Sequence, residues 1–167
     1  MRILLLATLM SIAVPAARAQ SASVSFYGTG CAYAGQTLAI GIQGLPQIGT
    51  TFTITYTGPN FHSTLTIQPH LAIGFAPDAT VIPASILPLQ PTGCTVWVVP
   101  AVIGAMMPTP TGPFATSVDV ALPNSPGLIG ITAYAQWFAT VVQCGFVPPC
   151  TFDALPTSNG ALLVIGT

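Results

Sequence analysis

Few side chains in this 167-residue sequence could do chemistry, and four of them are thiols: Cys31, Cys94, Cys144 and Cys150. An even set of cysteines in an oxidising compartment forms disulfides, and four allow three pairings. Cys144 and Cys150 have five residues between them, with Pro148-Pro149 restricting the intervening loop. That pair closes easily. Cys31 with Cys94 then closes a long loop, worth about 4 kcal/mol if the stabilisation comes from restricting the unfolded chain. The reading is therefore 31–94 with 144–150. No C-x-x-C or His–Cys spacing points to a metal instead. His62 and His70 stand eight residues apart across Pro69. If extended they are over ~20 Å apart, so one metal takes both only if the chain folds back. Both read as solvated surface histidines. The acids are Asp78, Asp119 and Asp153, scattered singly. Glycoside hydrolysis needs two placed carboxylates, and nothing pairs these in sequence. No G-x-S-x-G elbow occurs. A phosphate loop would need a lysine that the chain lacks. No catalytic residue, cofactor or metal is assigned, and the protein is read as a non-enzyme. Exposed aromatics can stack on sugars, which makes Trp97 and Tyr134 candidate glycan contacts. Trp137 lies in a strongly apolar run and reads as core, and Trp97 could equally pack beside the cystine at Cys94.

The elements that would position these residues repeat with period two. Thr51–Thr57 alternates strictly, with Phe52, Ile54 and Tyr56 on one face and threonines on the other, a half-buried strand. Gln36–Gln43 alternates through Leu38, Ile40 and Ile42, and Ser21–Tyr27 through Val24 and Phe26. Ser117–Leu122 turns Val118, Val120 and Leu122 inward and Asp119 outward. Leu65–Phe75 alternates but contains Pro69, which cannot donate to a ladder, so a break, a bulge or an edge is expected there. Thr95–Val99 and Ala161–Ile165 are short apolar runs. Ile129–Val142 is apolar on both faces, as in a central strand covered on both sides, with Tyr134 and Trp137 opposed. Turn chemistry separates the runs at Gly58-Pro59-Asn60, Pro91–Gly93, Pro108–Pro113, Pro123–Gly127 and Ser158-Asn159-Gly160. One helical turn fits Asn124–Leu128. With about eight or nine short strands, the expected fold is all-β, an antiparallel β-sandwich of immunoglobulin-like or jelly-roll-like kind. An outer-membrane barrel would need longer alternating strands with aromatic girdles.

Residues 1–19 read as a cleaved signal peptide, with Arg2, the apolar run Ile3–Val14 and the small-x-small site Ala17-Arg18-Ala19. The run is too short to span a bilayer core of ~30 Å. Residues 20–167 then form a single domain without Lys or Arg, since both basic residues, Arg2 and Arg18, precede it. Nucleic acid is excluded as a partner because nothing could neutralise its phosphates. Anionic lipid lacks a polybasic contact for the same reason. At 51% hydrophobic and 3% charged residues, the composition argues for a packed core rather than disorder.

Tyr27-Gly-Thr-Gly-Cys31, Pro91-Thr-Gly-Cys94, the run Leu128–Trp137 (LIGITAYAQW) and Ser158-Asn-Gly160 together resemble an uncharacterised family of all-β domains. These domains end predicted secreted and surface proteins of planctomycete-type bacteria. The resemblance covers most of residues 20–167. It implies an extracellular sandwich in which Cys31 and Cys94 match the two family cysteines, and it transfers no catalytic residue. The expected role is a secreted structural or interaction module of the cell surface or extracellular matrix, with self-association or an envelope component as partner. A carbohydrate-binding module is the alternative.

Overall fold

The computed structural model describes residues 20–58, 65–105, 115–143 and 150–167. They form thirteen strands: β1 (Ser23–Tyr27), β2 (Ala32–Tyr33), β3 (Gln36–Thr37), β4 (Ala39–Gln43), β5 (Thr51–Thr57), β6 (Leu65–Gly74), β7 (Ala76–Val81), β8 (Thr95–Val99), β9 (Val102–Ala105), β10 (Ala115–Ala121), β11 (Thr132–Gln143), β12 (Thr151–Ala154) and β13 (Thr157–Val164). The fold is all-β and sandwich-like, with more strands than the alternation suggests. The extra ones are short, or, like β7, carry proline and aspartate that read as turn. Two 3-10 turns, Ala84–Ile86 and Pro126–Leu128, are the only helical segments among the described residues. None is long and apolar enough to cross a membrane. The expected signal segment, His62 and Cys144 lie outside the described residues.

One sheet runs β1-β13-β11-β6-β9, with β12 also on β11, and a second runs β10-β5-β4. All their ladders are antiparallel. The inner faces meet as period two requires. Phe52, Ile54 and Tyr56 of β5 pack with Ile67 and Leu71 of β6, Ala135, Trp137, Ala139 and Val141 of β11, and Leu163 of β13. Trp137 is fully buried, its ring centroid 5.6 Å from that of Tyr56, and its indole N–H donates to Thr55 O at 3.0 Å. A two-stranded β7-β8 unit covers the other face of the larger sheet, where a Cβ on Gly74 would collide with Val99 O. As expected, β11 is central and covered on both sides.

One local expectation narrows to a single outcome, and three change. Pro69 neither breaks nor shifts β6, whose ladder with β11 runs through the Pro69–Ala139 pair. Ala139 sends its N–H the other way, to Pro156 O at 2.9 Å, so β11 asks for no N–H from Pro69. Among the described residues the ladder to β9 covers His70–Ile73, so Pro69 lies at an edge on that side, one of the three outcomes expected of it. Phe26 is 52% exposed rather than buried with Val24. It sits on edge strand β1, one strand (~5 Å) beyond β13, the strand tied to β4 of the smaller sheet. Leu38 separates β3 from β4 instead of continuing one strand. Ser158-Asn159-Gly160 is not a turn but the start of β13. There, two residues of β13 oppose Trp137 alone, and side chains replace ladder bonds.

Candidate functional site

The long disulfide anchors the β7-β8 unit. Cys31 and Cys94 are bonded, with Cα atoms 4.8 Å apart. Cys31 N–H donates to Thr157 O at 2.9 Å, and the Cys31 sulfur accepts Thr157 N–H at 3.1 Å. Thr157 Oγ1 accepts Thr95 N–H at 3.2 Å, so the first residue of β13 holds both the cystine and β8. Cys150 is disulfide-bonded as well. Its expected partner, Cys144, falls outside the described residues.

The Tyr27–Cys31 string has a geometric purpose. Gly28 adopts φ +66°, and a Cβ there would overlap the indole of Trp97. Glycine supplies both the backbone angle and the space. The indole N–H donates to Thr29 O at 3.3 Å, and Tyr27 donates its hydroxyl proton to Trp97 O at 2.8 Å. Tyr27 lies over Gly160 and meets two rings edge-on, Trp97 at 6.0 Å and Tyr134 at 6.2 Å. Burial, and then the neighbouring Tyr134, push the Tyr27 hydroxyl up to about 12. The two proposed glycan contacts are thus joined through a third aromatic, and all three are half-buried.

Gln136, on the same face, is 3% exposed and binds three backbone groups. Its Oε1 accepts Trp97 N–H at 2.8 Å, and its Nε2 donates to Thr95 O and Ser158 O, both at 2.8 Å. Ser158 Oγ accepts Trp137 N–H at 3.0 Å and donates to Asn159 O at 2.7 Å. Asn159 Oδ1 accepts Ile40 N–H at 3.1 Å, tying the two main sheets. Gln136, Thr157 and Ser158 escape a sequence reading. The one available signal is an amide inside the apolar 129–142 run.

The remaining candidates stay apart. His70 lies on the polar face of β6 as expected, but half-buried rather than solvated. It stacks on Phe138 at 5.0 Å, its Nε2 is 3.1 Å from Thr140 Oγ1, and burial lowers its pKa. Asp78 accepts from Ala79 N–H and the Thr80 hydroxyl, and the Thr80 bond foremost holds its carboxyl below the usual range. Asp119 accepts from Thr53 Oγ1 at 2.7 Å. Asp153 is 4% exposed on β12, its Oδ2 without a partner. Tyr33 is pushed up first by burial and then by the Asp153 charge. Each acid stands on a different element, and no three His, Cys, Asp or Glu gather among the described residues. No family model, curated protein or solved structure matches this chain.

Proposed function

We propose that this protein is a secreted, non-catalytic structural or interaction module of the cell surface or extracellular matrix, and that it works by associating with further copies of itself. Membership of the planctomycete-type surface family belongs to the same proposal. The carrying observation is the state of the sheet edges. Among the described residues the outer strands of the two main sheets are β1, β9, β4 and β10, with β12 paired on β11 alone, and their only charges are Asp119 on β10 and the buried Asp153 on β12. Soluble sheet proteins commonly guard such edges with lysine or other charge. Around β9 the surface is also apolar: Phe75 is 68% exposed, Val102 66% and Ile103 55%. The ladders put them along one sheet edge but on its two faces, Val102 on the side of Ile73 and Ile103 on the side of Ala72. Exposed apolar area along an unguarded edge favours association there. The Cys31–Cys94 bond supports an oxidising compartment.

Sedimentation of refolded, oxidised residues 20–167 from low to high micromolar concentration tests this. Concentration-dependent association, weakened by Val102→Lys, is expected. A single monomeric species across the range overturns it. Glycan binding is the second reading, favoured by the joined Trp97, Tyr27 and Tyr134 rings. Retention on an insoluble polysaccharide that Trp97→Ala abolishes would support it.

A further inference from the structure

We infer that the space between the larger sheet and the β7-β8 unit is a binding site for a small, uncharged, apolar molecule about the size of one aromatic ring. The cavity measures about 180 Å³. Ala72, Gln136 and Phe138 form its floor, Val96 and Val98 of β8 its roof, and Ile103 stands at its rim. Gln136 explains why the space exists. Its side chain reaches up from β11 to Thr95 O and Trp97 N–H, and so props β8 above the sheet. The next position across the ladder is Ala72, too short to fill the gap this strut creates. The Cys31–Cys94 bond and the Ala101 N–H bond to Ile73 O, 2.9 Å, hold the roof from either end. The cavity is therefore built in before any ligand arrives, as small-molecule sites usually are.

Its chemistry selects the occupant. No lining residue is charged. The two polar ones are already engaged: Gln136 in three bonds, and Thr157 Oγ1 with Thr95 N–H. Water needs two to four polar partners to be held well, and this half-open apolar space offers few. An ion would leave its hydration shell with no compensation. The match is thus neutrality against neutrality. The inference stands whether or not the protein self-associates.

A second apolar cavity of about 150 Å³ lies between the two main sheets, lined among others by Phe52, Ile73, Val120 and Ala133. No side-chain strut props it open, and the test separates the two. Benzene is titrated into oxidised residues 20–167 while methyl and aromatic NMR signals and the melting temperature are followed. Saturable shifts at Val96, Val98 and Phe138 with a rise in Tm are expected, and benzoate should give none. Ala72→Leu, which fills the floor, should abolish the benzene response, and Ala133→Leu should leave it intact. Val96→Phe fills the same space from the half-buried roof, should Ala72→Leu not fold. Absence of any saturable response to benzene overturns the proposal. So does a response lost in Ala133→Leu but kept in the floor and roof variants.

Discussion

Trp137 and Gln136 are neighbours on β11, and they hold opposite layers by opposite means. Trp137 faces the smaller sheet through area and shape, a large ring between Tyr56 and the β5 backbone. Gln136 faces the β7-β8 unit through three hydrogen bonds, backed by a disulfide. The first interface tolerates small shifts of position and is lost gradually as apolar area is removed. The second depends on particular atoms, and removing one partner leaves buried backbone groups unpaired. One strand thus carries both a hydrophobic and a directional attachment, and each should fail in its own way.

The sharpest break is Trp137→Ala. Emptying a fully buried indole should cost about 3–5 kcal/mol, read by denaturant unfolding, and should loosen both sheets together. Opening the other side at its covalent tie, with Cys31→Ala and Cys94→Ala, should cost roughly 2–5 kcal/mol. Hydrogen exchange should then show β7 and β8 opening before β5. Uniform loss of protection would erase the distinction between the interfaces. Gln136→Leu keeps bulk but removes the bonds, and should cost about 1–3 kcal/mol, the usual penalty for buried groups left unpaired. An effect near zero would mean that Thr157 and the cystine suffice alone.

Titration gives the smallest and most selective probes. Tyr27 is raised from 10.0 to about 12, so between those values the folded chain binds more protons than the unfolded one. Stability should be complete below pH 10 and fall as pH rises towards 12, with tyrosinate absorbance appearing together with unfolding. Tyr27→Phe should flatten part of that slope. His70 is lowered from 6.5, so here the unfolded chain holds the extra proton. Stability should be complete above pH 6.5 and decline as pH falls through the lowered folded value. His70→Gln should remove that decline in melts between pH 5 and 8.

The inner interface was legible in the sequence because area is periodic. Phe52, Ile54 and Tyr56 announce their face by alternation, and burial follows it. Val24 and Phe26 show where the signal stops, since alternation cannot tell an edge strand from a covered one. The outer interface was mostly illegible. Ser158-Asn159-Gly160 has the composition of a turn because its side chains bond backbone well, and in β13 they bond the backbone of other strands. Gln136 meets partners 41 and 22 residues away, which no local pattern records. The exception is covalent: cysteine spacing alone yielded the Cys31–Cys94 tie that the fold contains.

The pairing of β1 with β13 has a consequence in time. Ser23 lies opposite Val164 and Tyr27 opposite Gly160, and β13 is the one ladder partner of β1 among the described residues. A ribosome delivers β1 early and β13 after every other described strand, so the first strand waits through most of synthesis for its neighbour. Such distant pairings are slow to form because the chain between them must be closed before contact rewards it. Until then, the polypeptide lacks its completed main sheet.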